Sequence, residues 1–256
     1  MIGRNRLGSG VVLVVCVAAL LGCPTRRRSP GDAGPRSVTI APGTGNPAND
    51  KLAKECAGSD PGAGLACDDL ADVYAEGKGG VPIDLAHAAE LYGEACDKGL
   101  SLGCRDLAGQ VATGSGVKKD RARAIALYTR ACDAGLDLAC DDLGDLYAEG
   151  IGGGPVEPAL AAPFYQRACD QDPGLPCGHL ARLYRDGAGV PRDPKKAVAL
   201  YEKGCLGGSS LTCDDLGDVY AKGLGVPVDR RLAGTWYGRG CTGGFDLACK
   251  HQKALP

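Results

Sequence analysis

The residues of this chain best placed to do chemistry are twelve cysteines at 56/67, 96/104, 132/140, 169/177, 205/213 and 241/249, five of whose six pairs are eight residues apart. Paired thiols can ligate zinc or oxidise to disulfides. A zinc centre needs two pairs converging on one metal, yet successive pairs here are separated by a period of 36 or 37 residues. One pair per period and an even count suit disulfides, the chemistry of an exported chain. The expected bonds are Cys56–Cys67, Cys96–Cys104, Cys132–Cys140, Cys169–Cys177, Cys205–Cys213 and Cys241–Cys249. No metal or cofactor is expected, and the acidic residues lack the Asp-x-Asp-x-Asp-Gly spacing of a calcium loop.

A second candidate is Ser115-Gly-Val-Lys118, which matches the Ser-x-x-Lys pattern of serine β-lactamases. Its companions, Ser-Asp-Asn and Lys-Thr-Gly, are absent. The equivalent positions of other repeats are Ala188 with Pro191 and Leu224 with Pro227, so the pattern falls on a loop. His87, His179 and His251 lie in different repeats and, on this reading, at different repeat positions, so no Ser/His or metal cluster is expected.

What must position these residues is a repeat. A fixed period of this length is the signature of a solenoid whose units pack only on their neighbours. In each unit, helix A keeps a leucine (Leu70, Leu107, Leu143, Leu180, Leu216) followed by a small residue (Ala71, Ala108, Gly144, Ala181, Gly217). Helix B keeps Ala88, Ala124, Ala161, Ala197 and Ala233, then Leu91, Leu127, Phe164, Leu200 and Trp236, then Tyr92, Tyr128, Tyr165, Tyr201 and Tyr237. These spacings build one apolar face per helix. Glycine-rich loops join A to B and close on an acid such as Asp120, Asp193 or Asp229, suited to cap helix B. Five full repeats span about 65–244, and half-repeats at 51–58 and 245–253 cap the ends.

The positions facing away from this core are where a partner could be read. Helix A presents Asp72, Asp145 and Asp218, then Glu76 and Glu149, with His179 and Arg182 interrupting the acidic row in the fourth repeat. These are the candidate groove residues, and a partner surface for them should be basic or donor-rich. The acids just after the cysteines (Asp68, Asp69, Asp141, Asp142, Asp214, Asp215) are expected to sit in the first turn of helix A, complementing its dipole.

The N-terminus directs the chain outward. Arg4 and Arg6 precede an apolar run from Val11 to Leu21, about half the ~20 residues that a membrane span needs, so residues 1–22 read as a signal peptide. Leu20-Leu21-Gly22-Cys23 resembles a bacterial lipobox, which implies cleavage before Cys23 and a diacylglyceryl thioether on its sulfur, anchoring the protein to a membrane surface. Residues 23–50, rich in Pro, Gly, Ser and Thr with Arg26-Arg27-Arg28, have no apolar period and are expected to be a disordered tether. Without Arg4 and Arg6 the mature part keeps 27 basic and 31 acidic residues, a net of −4, which argues against a nucleic-acid partner.

Leu-Gly-Asp-Leu-Tyr-Ala-Glu-Gly, then Gly-x-Gly-Val-x-x-Asp, then Ala-x-x-Leu-Tyr-x-x-Ala at this period resembles Sel1-like repeats, relatives of tetratricopeptide repeats. The cysteine pair in each repeat is similar to the cysteine-rich subgroup first described as Helicobacter cysteine-rich proteins. The resemblance covers about residues 51–253. It implies an all-α, right-handed superhelical solenoid with a concave groove lined by A helices, acting as a monomeric adaptor for a protein or peptide. Some cysteine-rich members carry a penicillin-binding or β-lactamase label, so a hydrolase using Ser115 and Lys118 is the alternative, and a purely structural envelope protein is another.

Overall fold

A computed structural model describes residues 46–255 of the chain. The expected signal peptide, Cys23 and residues 24–45 of the tether lie outside the described residues. Six B helices alternate with six A helices among the described residues. The B helices are α1 (Pro47–Cys56), α3 (Leu85–Asp97), α5 (Arg121–Asp133), α7 (Pro158–Gln171), α9 (Pro194–Leu206) and α11 (Arg230–Thr242). The A helices are α2 (Ala63–Glu76), α4 (Ser101–Thr113), α6 (Asp137–Ala148), α8 (Leu175–Asp186), α10 (Ser210–Lys222) and α12 (Asp246–Ala254). No strand occurs among the described residues. The first helix opens at Pro47, inside the stretch expected to be tether: Asn46 accepts a hydrogen bond from the Ala48 N–H at 3.0 Å, and Pro47 suits a first turn.

Each A helix packs on the B helix that follows it, and each B helix on the next A helix. Successive A helices also touch, as α2 does α4, and α10 does both α8 and α12. The A helices therefore line the inner side of the stack. The leucine of every helix A is at most 3% exposed, and so are the alanines of helix B. The helix B tyrosines are buried to the ring, whereas Leu127, Phe164 and Trp236, expected in the core, are only half-buried. The small residue on helix A explains the tyrosine's fit. A Cβ at Gly144 would lie 2.5 Å from the Tyr165 ring, and one at Gly217 would lie 2.4 Å from Tyr237.

All six expected disulfides form, with Cα–Cα distances between 4.5 and 4.8 Å. Closing an eight-residue loop stabilises by about 2.5 kcal/mol in the chain-entropy model. A basic residue two positions before the second-helix cysteine adds a tie that the sequence reading missed. Arg130, Arg167 and Lys203 donate to the Cys96, Cys132 and Cys169 carbonyls of the preceding helix B at 2.7, 2.6 and 2.9 Å. Each places a cation at a helix C-terminus, where free carbonyls and the dipole favour it.

The A-to-B loops set the spacing between repeats. Asp84, Asp120, Asp193 and Asp229 each accept from the backbone N–H three residues on, as expected of helix caps. The second glycine of the Gly-x-Gly loop lies against the start of the preceding helix B. At Gly189, with φ of 72°, an added Cβ would sit 2.2 Å from the Ala159 nitrogen. Gly189→Ala should therefore lower stability by roughly 2–4 kcal/mol, through both backbone strain and inter-repeat overlap. Gly135→Ala, also at positive φ but facing open space, should cost only about 1–2 kcal/mol. Chemical denaturation of the two oxidised variants checks this, and equal losses would remove the inter-repeat contact from the account.

Candidate binding site on the inner face

The groove aspartates are held by tyrosines. The Tyr92, Tyr165 and Tyr237 hydroxyls donate to Asp72, Asp145 and Asp218, each at 2.6 Å. Each tyrosine leaves the core of its own repeat, crosses the small residue on helix A and presents its hydroxyl at the inner surface. Burial first, and then the neighbouring aspartate, push all three phenols far above their usual range. Of the remaining groove candidates, Glu76 pairs with Lys78 at 2.9 Å and Glu149 is exposed at the end of α6. Arg182 lies 4.0 Å from Asp215.

Beside this row runs a ladder of charged pairs between successive A helices. Helix A begins several residues before its cysteine, so the acids that follow the cysteine lie in its second turn, beyond the reach of a dipole effect confined to the first turn. Asp68, Asp141 and Asp214 are only 8%, 7% and 4% exposed. They point to the next repeat. Asp141 meets the His179 Nδ1 at 3.0 Å, and Asp214 meets the His251 Nδ1 at 2.9 Å. Arg105, at the same register, donates through Nε to Asp142 of the next helix. The rule joins the residue after the cysteine in one repeat to the second residue after it in the next. His179 and His251 thus hold equivalent positions, correcting the expectation that they do not. For His179, burial is the largest influence and disfavours the charged ring, but the Asp141 hydrogen bond and the charges of Asp141 and Asp145 together outweigh it and raise the pKa.

Two exceptions to these patterns meet at the second repeat. The first rung of the ladder joins Asp68 to Asp106, an acid to an acid. The Asp68 Oδ1 is buried with no hydrogen-bond partner. Burial, then the charges of Asp106 and Asp72, push its pKa up to about 7. Asp106 is raised too, chiefly by burial, with Arg105 at 3.4 Å opposing. The second exception is Gly109, which stands where other repeats carry Asp72, Asp145 or Asp218. The Tyr128 hydroxyl consequently meets no carboxylate; a Cβ on Gly109 would lie 3.4 Å from it. Burial pushes this phenol up to about 12. The missing side chain opens a cleft of about 530 Å³ lined by Asp72, Tyr92, Arg105, Asp106, Gly109, Gln110, Thr113, Tyr128 and Asp142. Three carboxylates against one guanidinium make it a place for positive charge.

The other candidate chemistry does not assemble there. The Ser115 Oγ shares a hydrogen bond with the Thr113 Oγ1 at 2.9 Å, and Lys118 is exposed on the same loop. Among the described residues no base contacts Ser115. Asp141, Asp145 and His179 bring three potential metal-ligand atoms within 4.8 Å of one another, although His179 is already engaged by Asp141 as a rung of the ladder. The cleft residues Asp106, Gln110 and Tyr128 were missed because they looked like framework positions; the signal was Gly109 breaking the row.

The first rung carries a testable cost. A carboxyl held near 7 in the fold and near 4 when unfolded keeps its proton in the folded state between those values, so its burial lowers stability as pH rises across that window. Asp68→Asn should raise the melting temperature at pH 8 by roughly 2–8 °C and lose most of that gain by pH 4. Thermal melts across this range check it, and a destabilised Asn variant at pH 8 would contradict it.

The comparisons agree with this architecture. The Sel1 repeat model matches residues 64–100, 101–136, 137–173, 178–209 and 212–245. An Escherichia coli structure described as c5321, a protective antigen of uropathogenic strains displaying an SLR fold, aligns with a TM-score of 0.67 at 27% identity, over 80% of this chain and 44% of that one. The chain thus spans less than half the length of that antigen. A Sel1 repeat protein from Oxalobacter formigenes aligns with a TM-score of 0.65 at 26% identity, over 80% and 82% of the two chains. The immunity protein Pa5087 of Pseudomonas aeruginosa, at 22% identity and a TM-score of 0.51 over 78% and 76%, shares the fold alone. No curated protein matches the chain. With five matched repeats running from residue 64 to 245, each anchored to its neighbour by a disulfide, the chain belongs to the Sel1 repeat family.

Proposed function

We propose that this protein is an exported scaffold, anchored to a membrane surface through lipid on Cys23, that binds a protein or peptide along the inner face of its solenoid. The fold is suited to protein binding, and the six disulfides fit an oxidising, extracytoplasmic location. No helix among the described residues is long and apolar enough to cross a membrane, so the lipobox-like Leu20–Cys23 segment supplies the attachment in this reading. The observation that carries the binding role is the inner face itself. It is a polar surface on which three tyrosines are locked to aspartates by 2.6 Å hydrogen bonds and a fourth, Tyr201, accepts from Arg185, whereas Tyr128 at the cleft has no such partner. Rigid, pre-ordered donors and acceptors bind with little loss of conformational entropy.

A photo-crosslinking amino acid placed in intact cells tests this reading. At Thr113, exposed beside the cleft, it should yield an adduct of defined mass; at Lys195, exposed on α9, it should yield none. The adduct should stay with the membrane fraction and be released from it by Cys23→Ala. Equal adducts from both positions, or none from Thr113, would remove the inner face as the binding surface.

A further inference from the structure

The ladder between A helices obeys a rule of charge: a carboxylate on one helix meets a base on the next, as in Asp141 with His179, Asp214 with His251, and Asp142 with Arg105. The first rung breaks it. Asp68 and Asp106 occupy the two positions, and neither neighbouring helix supplies the base. Two independent features in the same place also lack a partner. Tyr128, only 8% exposed, lines the cleft with a hydroxyl that makes no hydrogen bond to any described residue. The Gln110 Oε1, also in the cleft wall, is buried without a donor. Unmet groups of this kind cost about 1–3 kcal/mol each when left buried. These neutral groups call for a donor, and the carboxylates of the first rung beside them call for positive charge.

We propose that the cleft of the second repeat is a receptor for the guanidinium group of an arginine side chain presented by the partner protein. The inference rests on the inner face being the binding surface and names what that surface recognises. Arginine fits better than lysine on two counts. Its planar fork offers five donors in fixed directions, matching the separate acceptors of Asp106 and Tyr128, and it is the more weakly hydrated cation. The rings of Tyr92 and Tyr128 on the cleft wall offer faces that a guanidinium stacks on. The bound cation takes the place that His179 and His251 fill on the third and fifth rungs, and it offsets the charge of Asp68. Arg105 fills this place only in part: its Nε is committed to Asp142 on the opposite side, and its Nη1 reaches the Asp106 Oδ1 at 3.4 Å, the far end of hydrogen-bond range, leaving Asp68 without a donor.

The test titrates the purified, oxidised protein with the peptide acetyl-Ala-Ala-Arg-Ala-Ala-amide and with its citrulline counterpart, which keeps the shape and loses the charge. Calcium chloride is titrated in parallel. The arginine peptide should bind at least ten-fold more tightly than the citrulline peptide. Asp68→Asn and Asp106→His should each lose at least ten-fold in affinity while melting at the same temperature or higher. The histidine variant supplies internally the base that the third and fifth rungs carry. Equal binding of the two peptides, unchanged affinity in Asp106→His, or calcium binding with no response to the arginine peptide at tens of millimolar would each overturn the proposal. The cross-link at Thr113 separates the two levels. An adduct that persists in Asp106→His leaves the inner face as the binding surface and removes the arginine site. Absence of the adduct from the unmodified sequence removes the binding surface itself.

Discussion

Everything in this molecule depends on the short turn that carries each helix B into the next helix A. A two-helix unit built on alanine, glycine and one leucine per face has little apolar area of its own, so it is stable only against its neighbours. The disulfide across each turn holds the two Cα atoms within 4.5–4.8 Å and removes much of the freedom of the unfolded chain. Glycines at the opposite end of the repeat, such as Gly189 against Ala159, let backbone meet backbone there. Fixed at both ends, each repeat is delivered to its neighbour in one register.

That register is what turns a row of acids into a site. Because equivalent positions stack, the residue after one cysteine is set beside the second residue after the next, and the charges on these positions decide whether a rung is satisfied. Most rungs are. The first is not, and the tyrosine that would have been tied by an aspartate at position 109 is free at the same place. The two defects meet on α4, where Asp106 and Gly109 line a single cleft, which is why they read as one recognition element rather than as isolated imperfections.

The architecture was largely legible in the sequence. Cysteine spacing, with the period, was enough to pair all six disulfides, and the Leu, Ala and Tyr positions marked the buried faces. Legibility failed where a side chain leaves its own face. Periodicity places Tyr165 in the core and Asp145 outside it, but it does not show that the phenol crosses Gly144 to reach that carboxylate. The ladder was missed for a related reason. Helix A was expected to begin at its cysteine, which put Asp68 and Asp141 in an exposed first turn; the helices begin earlier, and those acids face the next repeat. Aligning the second residue after each cysteine would have placed His179 beside His251 and exposed Asp106 as the exception.

One rung of the inner face lacks its base, so that a buried aspartate is held near neutrality. Carbon-detected NMR titration of the aspartate carboxyls in the oxidised protein tests it most directly. The account predicts a carboxyl titrating near pH 7 that disappears in Asp68→Asn and moves well down in Asp106→His. If every aspartate titrates below about pH 5, the first rung is already satisfied in solution, and the cleft has no unmet charge for a partner to complete.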